Sequence, residues 1–512
     1  MWEKVFTYFA ITRNADAIQK LQRLIAQGIR NIQTQKRIEN MSLEDNLKNC
    51  LHNHMQYCLM LAQTFVKDPI GLVQTQDMVK KGAQIFKHAL LTRHFYLPLP
   101  IFALTRAFIN HEQNIDELDL ADLSGKLDPS IQNQNWRIPR HIYLHEICTL
   151  LIPCILRKKL SDSSFYDKQT NNKFIQQCES IYHKLNGLNL SSIISHQKHN
   201  LYSETEGKKR TTKIYSEIIG INDEKIEDSI KVGISNVNVD EKDLVQAINK
   251  RSILSQEKRK RHIDILNQAE RLKIDILLLP EAFVPLNWLC AYADEARRKQ
   301  RALIFGLEHF SIRAICYNLA ITIVPFEHCG RKEAFIIPRL KNHYSPAEHI
   351  TIEGNRKTIP QTLYSVYHLY QWRGVQFSVY NCFELTDIVH RSIFRSELDM
   401  LFAIEYNKDV NYFSNISESV SRDLHCYYIQ ANTSYYGDSR VVEPKKTAYQ
   451  NPVRVKGGDN DVIIRYELDI EDLRKFQSQT YILQKDYATF KPTPPDFQHE
   501  KVGIRGKCKI RN

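Results

Sequence analysis

Between residues 231 and 402 the chain repeats one pattern: a short saturated apolar run, then a longer stretch that is polar or carries apolar residues at helical spacing. The runs fall at 231–239, 274–280, 302–306, 317–324, 334–337, 374–381 and 398–402. Bounded by glycine, proline and polar residues, they read as buried strands. The polar stretch 242–272 reads as one long helix leading into the run at 274. Strands that alternate with helices require sheets covered by helices, which is an α/β architecture.

Three of these strands end on reactive side chains. Val375, Phe377 and Val379 form a strand entered at Gly374, and Cys382 sits where it gives way to a helix-like run at 388–394. A thiol there is held by the sheet and lies close to the backbone N–H groups that open the next helix. Such groups favour a thiolate and can hold an oxyanion. A free cysteine is more commonly a plain core residue, so its companions decide the reading. The run 274–280 delivers Glu281 directly after Pro280. A carboxylate at the end of a buried strand is costly unless its charge is used. The run 334–337 leads to Lys341 and then Glu348. Lysine and glutamate are mostly surface residues; the specific signal is the order Glu, Lys, Cys, each following a strand. Ser378 would be the nucleophile in a shifted register, but it falls in mid-strand, and the spacing to Asp399 fits Cys382 better.

This order resembles the nitrilase, or carbon–nitrogen hydrolase, superfamily. The resemblance continues through 398–402, Ser421-Arg422, 428–432, 437–444 and 466–470, and spans residues 228–475. It implies a four-layer α-β-β-α sandwich and a cysteine-dependent hydrolase of carbon–nitrogen bonds other than peptide bonds. The substrate would be a small amide or nitrile, and the intermediate a thioester. In that family pattern Cys382 is the nucleophile and Glu281 moves the protons. Lys341 and the backbone N–H of Phe383 hold the oxyanion, and Glu348 helps to place substrate and Lys341. The family also implies a homo-oligomer. Phe383-Glu384 matches the aromatic and acidic residues that follow the nucleophile, whereas the usual Phe-Pro-Glu is replaced by Leu385-Thr386-Asp387. That departure leaves the substrate class open.

The first half is a different kind of chain. It is rich in Leu, Ile, Gln, Lys and Asn, with apolar residues at helical spacing at 17–27 and 47–65 and breaks at Asp68-Pro69, Pro98, Pro100 and Asp128-Pro129. The whole is therefore expected to be multidomain: an all-α N-terminal domain at 1–195, a linker at 196–228, the α/β sandwich at 229–485 and a basic, partly disordered tail at 486–512. Arg137 and Arg140, interleaved with Trp136 and Tyr143, suit a phosphate backbone and a stacked base. An amphipathic helix with a basic end explains them equally well. His141 and His145 are four apart, but no further ligands accompany them, and no metal site is expected. This half has a second, looser resemblance, to the thumb-like helical region of nitrilase-fused, defence-associated bacterial reverse transcriptases. That resemblance implies an RNA, DNA or reverse-transcriptase partner and an antiviral role. The sequence contains no Asp-Asp pair for a polymerase metal site, so DNA synthesis is not expected.

The net charge of +12 suits an anionic partner. Eleven cysteines at irregular spacing, without a C-x-x-C, indicate neither a disulfide framework nor zinc. No apolar run has the length of a membrane span, and no signal peptide is apparent at the start, so a cytoplasmic protein is expected. No cofactor signature appears; Gly457-Gly458 is a turn, not a phosphate loop. Two functions fit: an amidase-like enzyme, or a catalytically weak scaffold of the same fold in a nucleic-acid-binding defence complex.

Overall fold

The computed structural model describes residues 143–158, 170–186, 188–203, 213–223 and 227–505, less 313, 363, 486 and 488. These residues fall into two compact units. The first holds helices α1 (Leu144–Lys158) and most of α2 (Thr170–Asn186). Both lie in the half expected to be helical. Arg137, Arg140, His141 and the helices expected before them lie outside the described residues. His145 is buried within α1.

The second unit is built on two sheets. The eight-stranded sheet runs β1 (Ile194–Ser203), β2 (Lys213–Ile221), β10 (Tyr364–Trp372), β11 (Val375–Asn381), β12 (Met400–Ile404), β13 (Tyr427–Ala431), β14 (Ser439–Val442) and β15 (Val453–Val455). The six-stranded sheet runs β16 (Val462–Asp469), β3 (Ser229–Asn236), β4 (Ile276–Leu278), β5 (Ala302–Gly306), β8 (Leu319–His328) and β9 (Arg331–Leu340). A small hairpin pairs β6 (Phe310–Ile312) with β7 (Ile315–Tyr317). Strands β3, β4 and β5 are parallel, as are β11, β12 and β13, so their C-terminal ends share one direction within each sheet.

The sheets pack face to face: β3 lies on β13 and β14, β5 on β12, and β8 on β11. Helix α5 (Leu289–Lys299) covers β5, β8 and β9, while α8 (Val410–Leu424) covers β13 and β14. This is the expected α-β-β-α order. The reason is visible in α8, whose buried Phe413, Ile416, Val420 and Leu424 recur at three- and four-residue spacing. Asp409 caps the helix by accepting from the Tyr412 N–H, and His425, in the left-handed conformation, ends it. The buried stripe joins Tyr380, Leu401, Ala403 and Tyr428 in one apolar cluster beneath the eight-stranded sheet.

Three expectations are corrected. The linker at 196–228 contains most of β1 and all of β2, which pair with each other and extend the larger sheet through β10. Ile214, Ile219 and Ile221 are buried, and the charge of Glu217 among them is met by His196 at 3.2 Å and His368 at 3.6 Å. The single helix at 242–272 is two, α3 (Glu241–Ile248) and α4 (Gln256–Arg271), because Lys250 takes a left-handed conformation with φ 63° after the Asn249 cap. The expected tail is packed as far as Arg505. That buried guanidinium donates to Ser396 O at 2.7 Å, Gln477 Oε1 at 2.8 Å and Asp399 Oδ1 at 3.3 Å. No helix among the described residues is long and apolar enough to cross a membrane.

Candidate active site

Glu281 follows β4 through Leu279 and Pro280, and all of this segment is buried. Its neighbour Ala282 has φ 54°, a turn that folds the chain over Gly306 of β5. A Cβ on Gly306 would lie 2.5 Å from Ala282 N and 2.6 Å from the Glu281 Cα, so only glycine leaves room for the carboxylate's backbone. Lys341 emerges directly from β9, with its N–H donating to Asn318 O at 2.9 Å. Glu348 lies in the first turn of α6 (Pro346–Gly354), where Ser345 caps the helix through the Glu348 N–H.

The structure brings these three side chains together. The Lys341 ammonium donates to Glu281 Oε1 and to Glu348 Oε2, each at 2.7 Å. Asn318 links the same carboxylates, its Nδ2 lying 2.7 Å from Glu281 Oε1 and 2.7 Å from Glu348 Oε1. His309 Nε2 is 3.0 Å from Glu348 Oε1. Lys341 is buried, yet Glu281, Glu348 and Cys382 outweigh the cost of burial and hold its ammonium well above the usual lysine range. Burial pushes the Glu348 carboxyl up, but Lys341 and His309 together bring it down to about 2.

Cys382, with φ 46°, directly follows β11 and opens a 3-10 turn, Cys382–Thr386. A non-glycine residue in that region carries local strain, which accumulates at functional sites. Ser378 is in mid-strand, its hydroxyl donating to His368 O at 2.8 Å. Cys382 is 7% exposed. Burial, and then the Glu281 charge, push its thiol well above the usual value of 9.0 against the opposing pull of Lys341 and a hydrogen bond from the Tyr406 backbone. The sequence argument that helix-opening N–H groups favour a thiolate is therefore corrected: desolvation wins, and the resting group is a thiol.

A second ion pair fixes the thiol strand relative to the lysine strand. Arg339 of β9 donates from Nη1 and Nη2 to Glu384 Oε1 and Oε2, each at 2.7 Å, and both residues are buried. Glu384 also accepts the N–H of Asn342 and of Asn381, each at 2.7 Å. The carboxylate two residues beyond Cys382 is thus bound to residues on either side of Lys341. Cys382 interacts electrostatically with the Glu281 carboxylate and the buried Lys341 ammonium, a set of groups of the kind that can support nucleophilic attack with proton transfer.

Asn318, His309 and Glu405 belong to this neighbourhood and carry no signal in the sequence. Glu405 follows β12 and is fully buried; its carbonyl accepts the Glu281 N–H at 3.4 Å. Burial, then Asp438 and Glu281, push its carboxyl up to about 8. Phe383 is half-buried at the second position of the 3-10 turn.

No family model and no curated protein matches the sequence. Solved structures do. An amidase from Nesterenkonia sp. AN1, bearing the acetamide moiety of fluoroacetamide covalently at its active-site cysteine, is 15% identical, with 51% of this chain and 97% of the amidase covered and a TM-score of 0.35. XC1258 from Xanthomonas campestris, a CN-hydrolase superfamily protein with an arsenic adduct in its active site, is 12% identical, with 51% of this chain and 98% of that one covered and a TM-score of 0.37.

Proposed function

We propose that residues 229–485 form a cysteine-dependent hydrolase of carbon–nitrogen bonds other than peptide bonds, acting on a small amide or nitrile. The observation that carries this reading is the buried Lys341 ammonium, held at 2.7 Å by both Glu281 and Glu348 beside Cys382. Glu281 takes the thiol proton as the Cys382 sulfur bonds to the amide carbon. The carbonyl oxygen, now an anion, is held by Lys341 and the Phe383 N–H, while Glu348 keeps Lys341 in place. Glu281 then gives the proton to the leaving nitrogen, the C–N bond breaks, and a thioester remains. Water attacks the thioester as Glu281 removes its proton, releasing the acid and restoring the thiol. Loss of one oxyanion donor lowers such rates by about 100- to 1000-fold.

The test is ammonia release from simple amides, nitriles and a metabolite extract by the full chain and by Cys382→Ala. Turnover that vanishes in Cys382→Ala supports the enzyme and names its substrate. Folded wild type that consumes nothing, with a thiol that still reacts with iodoacetamide, refutes it.

One observation favours a second reading, a weakly catalytic scaffold: Cys382 is buried and its thiol is held well above the usual range. An inert thiol would support it. The nucleic-acid or reverse-transcriptase partner, the antiviral role and the homo-oligomer belong to the same proposal; salt-dependent RNA or single-stranded DNA binding and the solution mass test them.

A further inference from the structure

His343, Asp387 and His390 meet just outside the cluster described above. His343 lies two residues after Lys341, in the segment between β9 and α6. Asp387 and His390 follow the Cys382 turn, at the start of α7 (Ile388–Ser392). One ligand atom from each of the three lies within 4.8 Å of the other two. His343 and Asp387 are half-buried and His390 is buried.

Two polar atoms converge on one ring nitrogen of this group. His390 Nδ1 has a single in-plane position, either a lone pair or an N–H, yet it faces His343 Nε2 at 2.9 Å and the Tyr367 hydroxyl at 2.9 Å. With Nδ1 as an N–H, it donates to His343 Nε2 while Tyr367 also bonds Asn342. With Nδ1 bare, the two ring nitrogens face each other across 2.9 Å, and a cation between the rings receives a lone pair from each.

The surroundings are fixed in advance. The His390 carbonyl accepts from Tyr380 OH at 2.8 Å, and Asp387 Oδ1 accepts the N–H groups of Val389 at 2.9 Å and His390 at 3.0 Å. One aspartate oxygen is thereby spent on the helix cap, and the carboxylate is held in place by it. Nitrogen ligands of zinc sit about 2.0–2.1 Å from the metal, which at a tetrahedral angle places them about 3.3 Å apart. The rings need to open by only a few tenths of an ångström.

We propose that His343, Asp387 and His390 form a binding site for a divalent transition ion of the zinc class, with two imidazole nitrogens and one carboxylate oxygen as ligands. Imidazole with carboxylate suits zinc and its neighbours rather than calcium or magnesium. Tyr367 or water completes the coordination. The ion ties the segment following Lys341 to the segment following Cys382, so it stabilises the arrangement of the proposed active site without touching the reacting atoms.

The experiment uses the full chain in a Cys382→Ala background, which keeps zinc off the nucleophile thiol. Protein stripped with chelator is titrated with zinc, and cobalt(II) serves as the spectroscopic probe. Parent protein is compared with His343→Ala, His390→Ala and Asp387→Asn; the last keeps the helix cap. The parent is expected to bind one equivalent more than either histidine variant. The affinity of either histidine variant at this site should fall by more than the about 10- to 100-fold that loss of a supporting partner costs. Zinc should raise the melting temperature of the parent only, and cobalt should show a nitrogen- and oxygen-ligated spectrum without a sulfur charge-transfer band. Should His390→Ala misfold, His343→Ala and Asp387→Asn decide. Equal zinc uptake and equal thermal shifts in parent and folded variants would place the metal elsewhere and overturn the proposal. So would a folded parent that binds no zinc.

Discussion

Glu405→Gln tests the electrostatic account of the site without requiring a substrate. Glu405 is fully buried. Burial first, then Asp438 and Glu281, raise its carboxyl from the ordinary 4.5 to about 8, against the opposing help of Asn407 and Arg440. At neutral pH the folded protein therefore holds it as a neutral acid, while the unfolded chain exposes an ionised glutamate. The sign follows from proton counting: between 4.5 and 8 the folded state binds the extra proton, so stability falls as pH rises. The contribution is complete below pH 4.5 and lost as pH passes 8. The loss is about 1.4 kcal/mol per pH unit within that window, or about 3 kcal/mol by pH 7. Glutamine keeps the shape and neutrality of the acid and has nothing to ionise. The melting temperatures of wild type and Glu405→Gln should thus coincide near pH 5 and separate with increasing pH, the variant being the more stable. About 3 kcal/mol corresponds to roughly 6–12 °C for a domain of this size, and the separation should stop growing above pH 8. Parallel melting curves across pH 5–9 would refute the reasoning, because they would mean that Glu405 is already ionised in the fold.

Two further outcomes follow from the geometry of the strand ends. Arg339→Met leaves Glu384 buried with only backbone partners and should cost about 3–5 kcal/mol, read from denaturant midpoints; adding Glu384→Gln should restore most of that loss, and an additive double variant would refute the coupling. Gly306→Ala forces its Cβ against the Glu281 backbone at 2.5–2.6 Å and should lower Cys382-dependent turnover by about 100-fold while the protein stays folded; unchanged turnover would show that the Glu281 backbone can yield without consequence.

The sequence reveals Glu281, Lys341 and Cys382 because each stands just beyond a saturated apolar run, where a polar side chain is conspicuous. What it hides is whatever depends on a partner far along the chain. Arg339 and Glu384 are 45 residues apart and read separately as ordinary surface charges, yet they form a buried bidentate pair. Arg505 reads as part of a basic tail because its partner Asp399 lies 106 residues earlier. Strand β2 reads as linker because Glu217 interrupts its isoleucines, and the two histidines that meet that charge come from β1 and β10. Asn318 and His309 are polar residues near short strands, a description that fits most loop residues in any chain.

The thiol shows the same limit in chemical form. The residues around Cys382 announce a strand followed by a helical turn, and from that local picture the N–H groups should draw the thiol toward its anion. The outcome is decided instead by the burial that both sheets impose and then by the Glu281 charge, which together outweigh the opposing pull of Lys341 and the Tyr406 N–H. A thiol held neutral in this way cannot rely on a standing population of thiolate. In the proposed mechanism its reactivity depends on a base that removes the proton during attack, a role assigned there to Glu281, whose carboxylate is held by Lys341 and Asn318. The hydrogen-bond network around Glu281 is therefore as necessary to the proposed chemistry as the cysteine itself.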